Sequence, residues 1–165
     1  MRPLVAGDRD AVARILEGTV AFTRVEIATA LELIDAWLAS GERSDYYTFV
    51  VEEPGDDQSG SGGGAVRGYV CFGPVPLTIG TFDLYWIAVD PATQGRGFGQ
   101  RLLAFAEDDI RRRGGRLLLI ETSSQETYGA TRRFYDRSGY EIVACIRDFY
   151  RPGDDKLVFG KRLTA

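Results

Sequence analysis

Residues 90–100 read DPATQGRGFGQ and stand between an apolar segment and a segment with helical periodicity. Glycine occupies the alternate positions Gly95, Gly97 and Gly99, so the backbone here can approach a ligand closely and adopt conformations that other residues avoid. A helix that begins at such a loop directs free N–H groups and the positive end of its dipole towards it. The stretch therefore predicts a phosphate-binding strand–loop–helix unit, in which Arg96 adds a positive charge.

The segments around this loop predict eleven elements in the order β-α-α-β-β-β-α-β-α-β-β, a mixed α/β domain. The phosphate loop follows a strand at 83–89 and precedes a helix at about 97–113. A second helix starts at the capping box Thr23–Glu26 and ends at Gly41. The other predicted elements are an edge strand at 1–5, a helix after an N-cap at Asp8, strands at 46–52, 65–72, 140–147 and 157–163, a strand at 116–121 buried on both faces, and a helix at 128–137.

Composition limits what this chain can do. Its 165 residues fit a single domain spanning 1–165, within which we expect the Gly-, Ser- and Asp-rich loop at 54–64 to be flexible. The net charge of -4 argues against nucleic acid as a partner, and no stretch approaches the ~20 apolar residues of a membrane span. We therefore expect a cytoplasmic protein with no nucleic-acid and no membrane partner.

Histidine is absent, which excludes Ser-His-Asp and Cys-His catalysis and every His-based metal site. The two cysteines, Cys71 and Cys145, cannot build a structural zinc site, so we expect no metal. Both lie in apolar runs, which predicts two buried free thiols in a reducing compartment.

The glycine loop alone leaves more than one phosphate ligand open. A dinucleotide-binding, Rossmann-like oxidoreductase is one alternative, because Glu121 ends the next strand about where a ribose-binding acid would lie. The G-x-G-x-x-G fingerprint, however, requires glycine where Gln100 stands, and five residues separate Val89 from Gly95. A Walker A loop is excluded, because no Gly-Lys-Ser/Thr follows.

The pattern Gln94-x-x-Gly97-x-Gly99 resembles the acetyl-CoA pyrophosphate loop of the GNAT superfamily of N-acetyltransferases. The strand at 83–89 stands where that family has its cofactor-pairing strand. Phe134-Tyr135, followed by Gly139-Tyr140, is similar to the family's second signature helix and its exit. The resemblance runs from Asp83 to Tyr140. It departs at Tyr128, where many members carry an asparagine that contacts the pantetheine arm.

This resemblance implies a mixed, mostly antiparallel central sheet of six to seven strands flanked by about four helices. It implies acetyl-CoA as cosubstrate, a small-molecule or peptide amine as acceptor, and a homodimer as a common assembly. The pantetheine arm would contact backbone groups of Ile87, Ala88 and Val89. The pyrophosphate-binding segment would comprise Gln94, Gly95, Arg96, Gly97, Phe98, Gly99 and Gln100.

Tyr135 matches the family's usual general acid, with its hydroxyl near the sulfur. Neighbouring side chains on a helix point about 100° apart, so Phe134 and Tyr135 cannot both face the same core. We therefore favour a catalytic role for Tyr135 over a core position.

Two carboxylates are candidates for the base, and the sequence does not choose between them. Asp83 opens the cofactor strand at the position where histone-acetylating members carry a glutamate, and Glu121 closes the adjacent strand where members that acetylate protein N-termini carry one. Each could instead form an ion pair with one of the many arginines. Tyr85 shares a face with Asp83 and is a candidate pocket residue.

The family's acceptor side corresponds here to 18–24 and to a loop at 147–156 between the last strands. Besides acetyl transfer and the oxidoreductase, a third alternative is a non-catalytic acyl-CoA-binding module, which would keep the loop but perform no chemistry.

Overall fold

The computed structural model describes residues 1–53 and 64–163. Two compact units divide the chain. The first comprises Met1–Phe72 and Trp86–Ala106, and the second comprises Gly73–Tyr85 and Glu107–Ala165. The predicted loop at 54–64 lies outside the described residues except for its last position, so its flexibility stays a prediction.

The elements occur in the order that the sequence predicts. They are β1 (Arg2–Pro3), α1 (Arg9–Gly18), α2 (Arg24–Ser40), β2 (Tyr47–Glu53), β3 (Ala65–Pro74), β4 (Thr81–Val89), α3 (Phe98–Arg112), β5 (Leu117–Ser123), α4 (Gly129–Arg137), β6 (Glu141–Arg151) and β7 (Asp154–Arg162). The seven strands form a sheet in the order β1-β2-β3-β4-β5-β7-β6. β4 and β5 pair in parallel, whereas β1–β2, β2–β3, β5–β7 and β6–β7 are antiparallel. The mixed, mostly antiparallel sheet with four α-helices confirms the predicted fold class. It does not match the mostly parallel sheet of a dinucleotide-binding oxidoreductase.

In the first unit, α2 begins at the capping box that the sequence predicts. The Thr23 hydroxyl accepts a hydrogen bond from the Glu26 N–H (3.3 Å), and the Glu26 carboxylate accepts one from the Thr23 N–H (2.7 Å). The helix then buries Ile34 and Trp37, and the Trp37 indole donates to the Leu4 carbonyl (2.8 Å). This contact ties α2 to the chain segment after β1.

α1 starts after Asp8, as predicted, but the Asp8 side chain does not cap it. Its carboxylate instead accepts bonds from the Arg2 guanidinium (2.6 and 2.8 Å) and from the Val5 N–H (2.9 Å). The Arg2 side chain lowers the pKa of Asp8 through these hydrogen bonds. The ion pair with Arg2 therefore takes the place of the expected N-cap of α1.

In the second unit, β5 is not buried on both faces, contrary to the sequence prediction. Leu118 and Ile120 are buried, Leu119 is partly exposed and Glu121 is exposed. This alternation shows that one face of the strand packs against the core and the other is partly open. The error arose because a run of leucines masks the polarity of the second face.

The expected loop at 147–156 is also wrong, because most of it belongs to strands. β6 extends to Arg151 and β7 begins at Asp154, so only a two-residue turn separates them, and Gly153 has a φ of 80°. The register is irregular between Ile146 and Arg151, and Asp148 has a φ of 52° there. Polar and aromatic residues thus form an irregular hairpin end rather than a long loop.

The prediction of two buried thiols is half right. Both cysteines are free, but Cys71 is buried on β3 and Cys145 is exposed on β6. Every residue of β6, the last strand of the sheet order, is exposed. Its apolar composition could not reveal that position.

Candidate active site

Two residues of the glycine loop, Gly95 and Gly97, have backbone conformations that favour glycine. A short 3-10 turn at Pro91–Thr93 follows β4, and the Asp90 carboxylate accepts a hydrogen bond from the Ala92 N–H (3.0 Å). Gly95 and Gly97 then adopt φ values of 79° and 82°, in the left-handed region. A Cβ at either position would meet nothing within 4 Å. Backbone conformation, rather than crowding, therefore accounts for glycine at these two positions.

The start of α3 presents a row of backbone donors. The Arg101 N–H donates to the Gly97 carbonyl (3.1 Å), which is the first bond of the helical pattern. The N–H groups of Phe98, Gly99 and Gln100 precede that bond and have no carbonyl partner within the helix. No side chain among the described residues caps them. Three N–H groups at a helix N-terminus fit the oxygens of a phosphate or diphosphate.

The arginine side chains near this loop have partners that the sequence did not predict. Arg96 does not stand free for a phosphate, because it forms an ion pair with Glu53. Arg67 also binds Glu53 (3.0 Å), and hydrogen bonds from both arginines lower the pKa of that carboxyl group. An anion at the loop would therefore compete with Glu53 for Arg96.

Arg101 is a cation that the sequence reading missed. Its guanidinium carbon lies 5.4 Å from the centre of the Phe98 ring, and the corresponding distance for Arg96 is 5.6 Å. Arg101 is exposed and has no ion-pair partner among the residues that the structure describes. The sequence could have indicated this cation, because Arg101 lies three residues after the first helical residue, on the first turn of α3.

The predicted pantetheine strand, β4, lies very close to the backbone of β3. Ala88 is buried, while Ile87 and Val89 are partly exposed. A Cβ at Gly68 would lie 2.7 Å from the Ala88 carbonyl oxygen, so only glycine fits there on β3. At the end of β4, the Asp90 N–H donates to the Arg67 carbonyl (2.8 Å). β3 therefore fixes the backbone at the end of β4.

An open groove in the same unit adjoins the predicted acceptor segment at 18–24. It is lined by Glu17, Phe22, Arg24, Ile27, Ala28 and Leu31. The Phe22 ring packs edge-on against Trp86 of β4, with 5.3 Å between ring centres. The connection between α1 and α2 thus reaches β4.

In the second unit, Tyr135 lies in a core position, and its catalytic role stays a prediction. It is 3% exposed, whereas Phe134 is partly exposed. The Tyr135 ring packs against Phe159 and Tyr140, with ring centres 5.6 and 6.0 Å apart. Burial raises the pKa of Tyr135, so its phenol is protonated at neutral pH. No hydrogen-bond partner for its hydroxyl is found among the described residues, which leaves that group free to donate.

The two candidate bases, Asp83 and Glu121, have different surroundings. Asp83 is partly buried, and burial, followed by the charge of Glu121, raises its pKa. Glu121 is exposed and accepts an ion pair from Lys156, with 2.8 Å between Nζ and Oε2. The Lys156 ammonium also lies 4.0 Å from the centre of the Phe149 ring. The sequence did not predict that Lys156 pairs with Glu121, because the two residues lie on different strands.

Tyr128, where the sequence departs from the family pattern, ends a 3-10 turn at Glu126–Tyr128 just before α4. The Arg132 guanidinium donates to the carbonyls of Ser123 (2.8 Å) and Gln125 (2.6 Å). Side-chain hydrogen bonds therefore hold the connection between β5 and α4.

The described residues contain neither a metal-binding cluster nor a membrane-spanning helix. No group of three or more Asp, Glu or Cys side chains within 1–53 and 64–163 is arranged to hold a metal ion. Over the same part of the chain, no helix combines the length and the apolar character needed to cross a bilayer.

Comparisons with known proteins agree with this fold. The sequence profile of the GNAT acetyltransferase domain matches residues 44–142. No curated protein gives a significant match. The crystal structure of an acetyltransferase assigned to the GNAT family from Desulfovibrio desulfuricans is 41% identical, with 99% of this chain and 98% of that chain covered and a TM-score of 0.89.

Two further solved structures share the fold at lower identity. The ribosomal-protein-S18-alanine N-acetyltransferase of Escherichia coli is 22% identical, with 99% and 92% of the two chains covered and a TM-score of 0.71. An acetyltransferase of Salmonella typhimurium, determined with its cofactor acetyl-CoA, is 24% identical, with 99% and 93% covered and a TM-score of 0.71. The family profile matches more than half of this chain, and one relative is 41% identical over nearly the whole length. The chain therefore belongs to the GNAT family of acetyltransferases.

Proposed function

We propose that this chain is an N-acetyltransferase that transfers an acetyl group from acetyl-CoA to an amine of a small molecule or peptide by direct attack. Family membership supports acetyl transfer, and a relative with the same fold was determined with acetyl-CoA. The observation that carries the proposal is the row of N–H groups at Phe98, Gly99 and Gln100, which follows the left-handed glycines. These N–H groups suit the diphosphate of coenzyme A.

The cofactor would be held mainly by backbone groups. We assign the diphosphate to residues 94–100 and the pantetheine arm to Ile87, Ala88 and Val89. One N–H group of this strand would polarise the acetyl carbonyl, where negative charge develops during attack. Because Arg96 is paired with Glu53, Arg101 is the more available cation for the phosphates.

The proposed reaction removes two protons from the protonated amine and adds one proton to the sulfur. A primary amine with a pKa near ~10.4 is almost entirely protonated at pH 7, so a carboxylate, Asp83 or Glu121, must accept a proton directly or through water. The amine nitrogen then forms a bond to the acetyl carbon as the carbon–sulfur bond breaks. The Tyr135 phenol would donate a proton to the departing sulfur, and the second proton of the amine nitrogen would then restore the phenol.

Calorimetry with acetyl-CoA tests cofactor binding. We expect saturable binding of acetyl-CoA. S-acetyl-pantetheine, which lacks the diphosphate, should bind much more weakly. Absence of binding at millimolar acetyl-CoA would contradict the proposal, whereas affinity for NAD(H) would favour the oxidoreductase.

A panel of polyamines, aminoglycosides, amino acids and peptides with free N-termini then tests the reaction, with release of the coenzyme A thiol as the readout. The assay belongs in the Cys145→Ser background, because the exposed Cys145 thiol would react with the detection reagent. Turnover with at least one amine is the expected result.

A non-catalytic acyl-CoA-binding module is the second candidate, and the core position of Tyr135 favours it. That module would bind acetyl-CoA but release no thiol with any amine. The organisation of 1–165 as one acetyltransferase domain and the homodimer stay predictions. A cytoplasmic location is part of the proposal, and the two free thiols support it.

A further inference from the structure

Glu53, the last residue of β2, binds two arginine side chains at once. The Arg96 guanidinium donates to both oxygens of its carboxylate, and the distance from Arg96 Nη1 to Glu53 Oε2 is 3.3 Å. The Arg67 Nε atom lies 3.0 Å from the same Oε2 atom. Two hydrogen bonds from one guanidinium to one carboxylate fix the direction of both groups. Glu53 therefore determines where the Arg96 side chain points.

Arg67 holds Glu53 in place independently of Arg96. The Arg67 Nη1 atom donates to Asp90 Oδ2 (3.1 Å), and the Arg67 carbonyl accepts the Asp90 N–H (2.8 Å). These contacts connect β2, β3 and the end of β4 within the first unit. The side chains of Glu53 and Arg67 are 24% and 29% exposed. If Arg96 moved away, Glu53 would keep both its position and one arginine partner.

Arg96 is the member of this cluster that has room to move. Its side chain is 54% exposed, and it stands between Gly95 and Gly97. A Cβ at either glycine would meet nothing within 4 Å, so the backbone on both sides of Arg96 borders open space. Its guanidinium carbon lies 5.6 Å from the ring centre of Phe98, whose N–H begins the amide row. Arg96 can therefore turn from Glu53 towards an anion at that row.

The charges of the cluster cancel in the free protein. Glu53 and Asp90 carry two negative charges, and Arg67 and Arg96 carry two positive charges. Hydrogen bonds from Arg96, followed by its charge, lower the pKa of Glu53, so Glu53 is ionised at neutral pH. An ion pair this exposed contributes little to stability, so a phosphate group can replace Glu53 as the partner of Arg96. The anion must, however, displace a carboxylate to gain that contact.

We propose that Glu53 is a positioning residue that holds Arg96 away from the amide row and competes with the diphosphate for it. This inference rests on the proposed diphosphate site at residues 94–100. Arg96 binds Glu53 in the free protein and a phosphate oxygen in the complex, while Glu53 stays with Arg67. Glu53 thus lowers the affinity of the loop for its ligand and favours release of coenzyme A after the reaction.

Calorimetry with acetyl-CoA and, separately, with inorganic diphosphate measures this competition. Glu53→Gln keeps the shape of the side chain and removes its charge, so both ligands should bind about three- to fivefold more tightly. The gain requires Arg96. In the Arg96→Met background, Glu53→Gln should therefore change either affinity by less than about twofold. An equal gain in both backgrounds would show that Glu53 only repels the anion, and it would overturn the competition for Arg96.

Asp35→Asn is the matched control for Glu53→Gln. The Arg9 guanidinium donates to both oxygens of Asp35 (2.6 and 2.8 Å), and this pair joins α1 to α2 in the same unit. The control variant removes the same charge and the same type of ion pair, so its affinity for both ligands should equal that of the wild type. Similar gains in the two variants would attribute the effect to net charge and overturn the inference.

A second readout uses the unmutated protein. NMR titration with inorganic diphosphate follows the Arg96 guanidinium and the Glu53 carboxyl carbon together. Both signals should shift and saturate at the same ligand concentration, because Arg96 leaves Glu53 as the anion binds. A Glu53 signal that stays unchanged at saturation would show that the pair does not separate.

The two ligands distinguish this inference from the proposed function. Inorganic diphosphate carries no acetyl group, so its tighter binding to Glu53→Gln supports the competition even if no amine is acetylated. Acetyl transfer by the wild type with unchanged affinities in Glu53→Gln would refute the competition and leave the proposed function standing. If neither ligand binds more tightly to Glu53→Gln than to the wild type, the inference is wrong.

Discussion

The hydroxyl group of Tyr135 can be tested without disturbing its packing. Tyr135→Phe keeps the ring that contacts Tyr140 and Phe159 and removes only the proton donor. We expect kcat to fall by about 10²-fold or more, with the affinity for acetyl-CoA unchanged. Steady-state kinetics together with calorimetry make this measurement.

Tyr140→Phe is the matched control for Tyr135→Phe, because it removes one hydroxyl from the same aromatic cluster. The Tyr140 hydroxyl donates to Glu107 (2.9 Å), so the variant should lose about 1–2 kcal/mol of stability while its turnover is retained. If Tyr135→Phe kept full turnover, Tyr135 would be a core residue only, and the general-acid assignment would be wrong.

The two thiols should differ sharply in reactivity. Cys145 is exposed, whereas Cys71 is buried and burial raises its pKa to about 12. The thiolate is the reactive form, so we expect one thiol per chain to react rapidly with Ellman's reagent and the second only after unfolding. Cys145→Ser should abolish the rapid phase, and two rapid phases in the native protein would contradict the buried position of Cys71.

At the scale of the element, the capping box of α2 gives a quantitative prediction. Thr23→Ala removes the side chain that accepts the Glu26 N–H, which should cost about 1 kcal/mol and lower Tm by about 2–4 °C. Thr29→Ala is the control within the same helix, because the exposed Thr29 hydroxyl donates only to the Val25 carbonyl. Alanine favours helix at that position, so Tm should stay the same or rise slightly. Equal losses in both variants would show that the cap contributes nothing specific.

The glycine loop makes a prediction about backbone conformation. Gly97→Ala places a Cβ on a residue with a φ of 82°, which should cost about 1–2 kcal/mol without any steric contact. If the backbone at residue 97 moves to relieve this strain, the N–H groups that follow it move as well. Affinity for acetyl-CoA should therefore fall by about tenfold. Calorimetry and thermal unfolding measure the two effects.

Gly153→Ala is the control for strain alone. Gly153 has a φ of 80° and equally open surroundings, but it lies in the turn between β6 and β7. This variant should lose similar stability while its affinity for acetyl-CoA is unchanged. A loss of affinity in both variants would attribute the effect of Gly97→Ala to general destabilisation.

Local signals made most of the elements predictable. The Thr23–Glu26 cap, the helical spacing along α3 and the glycines at 95 and 97 each act within a few residues, and the structure confirms them. The errors concern side-chain partners that the local pattern does not specify. Asp8 binds Arg2, Arg96 binds Glu53 and Glu121 binds Lys156, and no spacing rule brings those residues together. The exposure of β6 likewise cannot be read from its apolar sequence.

At the scale of the whole molecule, the two units carry different parts of the proposed chemistry. The first unit contains the amide row before Arg101 and the strand residues Ile87–Val89. The second contains Asp83, Glu121, Lys156 and Tyr135. The strand β4 supplies residues to both units, since Asp83 belongs to the second and Ala88 to the first.

A crystal structure with acetyl-CoA bound tests the central claim most directly. We predict diphosphate oxygens within about 2.7–3.2 Å of backbone nitrogens in residues 95–100, including those at the start of α3. A diphosphate bound elsewhere on the chain, with the N–H groups of Phe98, Gly99 and Gln100 left in contact with water, would contradict the account.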